Sequence, residues 1–328
     1  MLKEKITILE CSRIFSLPMT ILSWLVIFTF SCINSGNIWY GIIALIGICF
    51  AHLGTNLIDD FFDYKFLIKM VDFDKSEYLK NSQKTKCRYL ISGQMSESQL
   101  GLLIFIYFTI ALLTGIFLYY KCGTGVLYFM LAGGLIGLIY PIASRICLAE
   151  VAVALAYGPL LFGGVYYVMT GLISKEAFLL SIPTMIMTVI LLYVHMIMDY
   201  DFDKNEGKKT LANSFDSQLD SLTPLKYLLI SGYLSLFILC ILDILDWQVF
   251  LVFLTIPLAI DLYNSLKLFA CNPEETPKRK WYHFPMENFD TFVKRGEASF
   301  MMRMLQARNL MIYFSLLYTS AIILALAI

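Results

Sequence analysis

The sequence predicts an all-α integral membrane protein with nine transmembrane helices, on three observations. The chain has 328 residues, of which 59% are hydrophobic and 15% charged, with a mean hydropathy of +0.71; a soluble protein carries about a quarter charged residues. Apolar stretches of about twenty residues, enough to cross a hydrocarbon layer as a helix, recur along it. In lipid every backbone polar group must be satisfied internally, which a helix does within one segment.

The spans fall near residues 15–34, 39–60, 99–120, 123–142, 149–171, 177–198, 225–245, 248–270 and 305–327. The first follows the charged start MLKEKITILECSR with no small-residue cleavage site behind it, so it reads as a span rather than a removable signal. The second, IWYGIIALIGICFAHLG, runs into the acidic TNLIDDFFDY. The third and fourth are separated by a short turn after Lys121. The fourth ends at YPIASR, and the fifth begins at Glu150 and runs to Gly171. The sixth closes on VHMIMDYDFDKNEGKKTLA, a second acidic end. The short DILDWQ separates the seventh from the eighth, and a basic, aromatic segment leads into the ninth.

Long loops over about 64–98, 200–224 and 271–303 lie on one face, and the connections on the other are short. Of 25 Lys and Arg, only Lys121 and Lys175 fall on the far side. The positive-inside rule therefore places the N-terminus and long loops in the cytoplasm and the C-terminus outside. Formal net charge is zero and says nothing of partners. The third loop nearly balances acids and bases, which argues against nucleic acid. It reads as an interfacial segment lying on headgroups, or else as a lid, and His283 within it as structural. The eight cysteines are scattered with no C-x-x-C pair, and read as small apolar residues kept reduced.

The two acidic ends carry the chemistry. Asn56, Asp59, Asp60 and Asp63 stand at i, i+3, i+4 and i+7 on one helix face, which His52 continues inward. His195, Asp199 and Asp203 form a second stripe, while Asp201 points elsewhere. Neither stripe contains a Lys or Arg at helical spacing, so a divalent cation is the expected compensation; oxygen ligands that leave room for water and phosphate suit Mg²⁺. Facing metal sites would clamp a diphosphate, with Arg88, Lys208 and Lys209 as further cations. The two clusters lie about 140 residues apart, a faint internal repeat of parallel halves. A transporter would need ionisable groups near mid-bilayer, where only His52, Asp261 and Asn264 qualify.

DDFFD together with DYDFDKNEGKKTLA resembles the paired aspartate motifs of the UbiA superfamily of membrane prenyltransferases. The usual first motif reads N-D-x-x-D and the second D-x-x-x-D followed by G-K-x-T-L. Asp199, Asp203, Gly207, Lys208, Thr210 and Leu211 match the second. SRIFSLPMT, CRYLISGQMS and the stretch from Tyr140 to Gly171 look like the menaquinone-branch members, which prenylate a dihydroxynaphthoate. The resemblance covers most of the chain to about residue 215.

It implies one transmembrane prenyltransferase domain over 1–328, a nine-helix UbiA-type bundle around a central cavity. Mg²⁺ and an isoprenyl diphosphate would be held by Asp60, Asp63, Asp199 and Asp203, with Asp59 beside them. Substrate contacts are expected from Asn56, Arg88, Tyr140, Arg145, His195 and Lys208. Tyr140, Tyr157, Tyr166, Tyr167 and Tyr193 are candidates to stabilise a carbocation. An acidic aromatic acceptor would meet Arg13 or Arg145. The chain departs from the pattern at Asp59, where Asn is usual, and at His195 and Met198, where the menaquinone branch has Asn and Arg. His195 is either a general base or a hydrogen-bonded polar residue of the bundle. The alternative activity is a UbiA-type terpene cyclase, which needs no acceptor.

Overall fold

The computed structural model describes residues 7–70, 73–80, 87–287 and 289–326. Among them, nine helices are long and apolar enough to cross a membrane. They are α1 (Leu17–Ile33), entered through a 3₁₀ turn at Ile14–Ser16, α2 (Ile38–Leu67), α3 (Glu97–Cys122), α4 (Gly125–Ala143), α5 (Ala149–Thr170), α6 (Lys175–Met198), α7 (Leu222–Ile241), α8 (Trp247–Cys271) and α9 (Ala298–Leu326). No strand occurs among the described residues; one parallel bridge joins Ile146 to Lys209.

Side-chain caps set three of the helix starts. Asn37 Oδ1 accepts from Trp39 N and Tyr40 N at 3.0 and 3.3 Å to open α2. Ser96 and Gln99 form a reciprocal capping box at α3, and Ser174 caps α6. Inside α5, Ala156–Leu160 form a π-helical turn around Gly158 and Pro159; Gly158 is non-helical at φ −92°, ψ −109°. A proline removes a donor and clashes with the preceding turn, which accounts for the break.

Two boundaries differ from the sequence reading. The helix of the second span does not stop near residue 60: α2 continues to Leu67, so Asp59, Asp60 and Asp63 stay in helical register. The ninth begins at Ala298 rather than near 305. Its polar residues explain why. Arg303, fully buried, donates to Ser265 O at 2.8 Å, Ser299 O at 2.6 Å and Glu275 O at 3.0 Å, and its guanidinium lies 4.8 Å from the Phe269 ring centre. Asn309 Nδ2 donates to His283 O at 2.5 Å and Pro285 O at 2.8 Å, and the Tyr313 hydroxyl donates to Phe284 O. One face of α9 thus satisfies the carbonyls of the segment before it, as a dry interior requires.

That segment is fastened on its other side by Asp261 of α8. The Asp261 carboxylate accepts from Tyr282 Oη at 2.7 Å, Lys280 Nζ at 2.8 Å and His283 Nε2 at 2.9 Å. His283 is therefore structural, and Asp261, one of the polar candidates for a transport path, is consumed by the clip. Trp281 and Phe284 of this segment stay exposed. Glu287, Phe292, Arg295 and Glu297 border a cavity, Glu287 and Arg295 while remaining exposed.

α6 is the most enclosed helix and α3 and α4 the least. α2 packs along α3, α6 along α7, and α9 against α1 and the first half of α8. All eight cysteines are free.

Candidate active site

The bundle encloses a cavity of about 2060 Å³. Asp60 of α2 and Asp199, the residue capping α6, both reach its wall. So do Arg13, Asn56, Arg88, Tyr140 and His195. Away from this end the walls are apolar, with Leu22, Ala44, Ile48, Leu161 and Val165 among them. Two acidic ends far apart in sequence therefore meet at one mouth.

Asp59, Asp63 and Asp203 are buried but do not line the cavity. The absence of a cation at helical spacing is made good by other elements. Arg13, from the turn before α1, pairs with Asp60 and stands 3.6 Å from Asp59. Arg145, from the α4–α5 connection, pairs with Asp63 and lies 4.1 Å from the Phe66 ring centre. Arg145 is thus engaged with the first carboxylate cluster, near which the sequence reading expected it, and does not itself line the cavity.

Tyr89 Oη donates to Asp60 Oδ2 at 3.0 Å, and Cys87 Sγ to Asp60 O at 3.1 Å. Burial, foremost, holds the Tyr89 phenol well above its ordinary range, so it remains a donor. Burial opposes the Arg13 charge, but the neighbouring carboxylates, Asp59 first, outweigh it and raise its pKa. Arg88 Nη2 donates to Leu79 O at 2.5 Å, which holds its guanidinium at the wall.

At the second cluster the helix breaks at Asp199 and resumes over Tyr200–Asn205, so Asp199 faces the cavity while Asp203 turns inward and Asp201 is exposed. Gly207, at φ 69°, supplies the left-handed turn that lets Lys208 N donate to Asp203 O at 2.9 Å. Asn213 Nδ2 donates to Lys208 O at 2.6 Å, and Cys147 N to Lys209 O at 3.1 Å. These bonds tie the second motif to the α4–α5 connection. Lys208 is itself buried and lies off the wall.

Of the five candidate tyrosines, only Tyr140 and Tyr157 line the cavity. Tyr193 Oη donates to Ser221 O at 2.8 Å, Tyr167 Oη to Cys122 O at 3.1 Å, and Tyr166 is buried in the core. The sequence reading missed Tyr89, whose link to Asp60 has no local signature, and Arg295, which the third loop brings to the wall.

The carboxylates of Asp60 and Asp199 supply oxygen donors at the mouth, which suit a hard divalent cation. Among the described residues no three His, Cys, Asp or Glu side chains converge to enclose a metal by themselves.

Comparison with solved structures gives the same architecture. A UbiA homologue from Archaeoglobus fulgidus bound to GPP and Mg²⁺ superposes with a TM-score of 0.58 at 14% identity, over 92% of this chain and 98% of that one. The same homologue bound to DMAPP and Mg²⁺ gives 0.57 at 15% identity, over 92% and 98%. A digeranylgeranylglyceryl phosphate synthase gives 0.54 at 14% identity, over 96% and 97%. No curated protein sequence matches the chain significantly. The model of the UbiA prenyltransferase family matches residues 17–289, across both acidic ends and the cavity between them, and the chain belongs to that family.

Proposed function

We propose that the protein transfers an isoprenyl group from a prenyl diphosphate to an aromatic acceptor within the membrane, and that Mg²⁺ is its cofactor. The observation that carries the reading is the convergence of Asp60 and Asp199, with Arg13 and Arg88, at one end of an otherwise apolar cavity. A diphosphate head and a hydrocarbon tail match its two ends. Homologues of the same fold bind GPP or DMAPP with Mg²⁺, which supports this choice of donor.

Asp60 and Asp199 at the cavity wall would hold Mg²⁺, with Asp59, Asp63 and Asp203 buried behind them. Bound there, the ion supplies Lewis-acid neutralisation of the charge that builds on the departing diphosphate. Arg88 and Arg13 orient the head by charge-assisted hydrogen bonds, and Lys208 holds the second motif in place. The allylic C–O bond breaks and its electron pair leaves with the diphosphate. The face of Tyr140 steadies the cation, and the apolar walls keep water from quenching it. The acceptor ring forms the new bond and loses a proton, for which His195 at the wall is the candidate base. A quinone-precursor acceptor of the naphthoate kind is the one we favour, on the likeness of the Tyr140–Gly171 stretch. We assign the whole chain, 1–328, to one catalytic domain, with the mouth and the N-terminus cytoplasmic and the C-terminus outside.

The test is diphosphate release by purified protein given Mg²⁺ and a prenyl diphosphate, with and without 1,4-dihydroxy-2-naphthoate or 4-hydroxybenzoate. Release that needs the acceptor, stops with EDTA and disappears in Asp63→Ala and Asp203→Ala is the expected result. Release with a hydrocarbon product and no acceptor would establish a cyclase instead. For orientation, Lys121 and Lys175 should label from outside and Lys204 and Lys209, both exposed, should not. Lys208 is too buried to report, and Lys84 lies outside the described residues.

A further inference from the structure

Two turns inward from Asp60, about 12 Å along the helix, α2 carries His52. Its side chain meets three others. Ser16 Oγ lies 3.0 Å from Nε2, while Thr20 Oγ1 and Tyr157 Oη lie 2.5 and 3.0 Å from Nδ1. Thr20 and Tyr157 are themselves 3.3 Å apart. Ser16, His52 and Tyr157 line the cavity, and Tyr157 belongs to the π-helical turn that interrupts α5. Such turns concentrate at functional sites.

Proton accounting shows what the cluster can do. The single Ser16 hydroxyl proton goes to Arg13 O at 2.8 Å, so Ser16 Oγ accepts from Asn56 Nδ2 at 3.0 Å and from His52 Nε2. His52 therefore carries its proton on Nε2 and offers one lone pair on Nδ1. Two hydroxyls, Thr20 and Tyr157, compete for that lone pair. The loser is left with a long 3.3 Å bond, which a ligand oxygen can replace. A prenyl tail has no use for a hydroxyl donor and acceptor at this depth, and no member of the cluster carries a formal charge when His52 is in this form.

We propose that His52, Tyr157, Thr20 and Ser16 form a second, uncharged subsite that takes a neutral oxygen of the acceptor, a ring hydroxyl or carbonyl, rather than a carboxylate. The proposal rests on the transfer reading above and specifies the chemistry of its second substrate. The subsite positions the ring; the bond-making end of the acceptor stays near Asp60 and Asp199.

The experiment uses the full chain with Mg²⁺, geranylgeranyl diphosphate, and 1,4-naphthalenediol, which has two ring hydroxyls and no carboxylate. The wild type should use the diol at least as well as 1,4-dihydroxy-2-naphthoate. Tyr157→Phe, which removes one oxygen, should raise KM for the diol about three- to tenfold, the worth of one neutral hydrogen bond, with the KM for geranylgeranyl diphosphate unchanged. His52→Gln, which keeps a donor and an acceptor, should fall between. If the wild type is acceptor-dependent but Tyr157→Phe leaves the diol KM unchanged, or shifts both KM values alike, the subsite is refuted and transfer stands. Use of the naphthoate but not the diol, with the naphthoate KM unchanged in Tyr157→Phe, also refutes it. Release without any acceptor overturns both readings.

Discussion

Replacing Arg13 by Ala tests whether the first acidic cluster is built around a cation. Arg13 pairs with Asp60 and stands 3.6 Å from Asp59, the two carboxylate side chains being only 3% and 8% exposed. Removing one partner of a buried pair costs about 3–5 kcal/mol, because the remaining charge is left uncompensated. The lower figure applies here, since Tyr89 still donates to Asp60 and the Arg13 side chain is 22% exposed. About 3 kcal/mol, at roughly 2–4 °C per kcal/mol for a large domain, lowers the unfolding midpoint by about 6–12 °C. Mg²⁺ should reverse much of that loss, because a ligand at a hundred times its Kd contributes about 2.7 kcal/mol. In the wild type the ion competes with Arg13 for the same oxygens, and in the variant it does not. The assay is thermal unfolding in detergent with and without Mg²⁺, and the Mg²⁺-dependent rise should be larger in Arg13→Ala. Equal rises in both proteins, or an unchanged midpoint without Mg²⁺, would refute the reasoning.

Three other outcomes are expected. A Cβ at Gly134 would meet open space at the cavity wall, so Gly134→Leu should fold normally and lower kcat/KM for geranylgeranyl diphosphate more than for dimethylallyl diphosphate; an unchanged ratio would remove Gly134 from the tail path. Arg303→Met removes a buried donor that three carbonyls share and should lower stability by about 3 kcal/mol while opening the segment at Lys278–Lys280 to trypsin, as mass spectrometry of the fragments would show. Burial, helped by Glu10, pushes the Cys11 thiol up to about 11, so its thiolate is scarce at neutral pH; maleimide labelling of Cys11 should stay slow through pH 9 and quicken toward pH 11, and full labelling at pH 7 would contradict this.

The sequence by itself determined the nine spans, the two carboxylate stripes and the family to which they point. These are local properties: each span must be long and apolar enough for lipid on its own account, and residues three and four apart share a helix face whatever surrounds them. Only the tertiary structure decided which groups meet. Arg13 reaches Asp60 across 47 residues and Arg145 reaches Asp63 across 82. Tyr157 reaches His52 across 105, and the third loop turns Phe292 and Arg295 into the cavity wall. The physical reason lies in the solvent. Lipid is as apolar as a neighbouring helix, so a span such as α3, apolar on every side, carries no stripe that marks its inward face. Facing is set by shape and by a few polar contacts: glycine against Phe108 at Gly54, the break at Gly158 and Pro159, and the Arg303 and Asn309 bonds to the loop. Each of these needs its partner in place before it means anything.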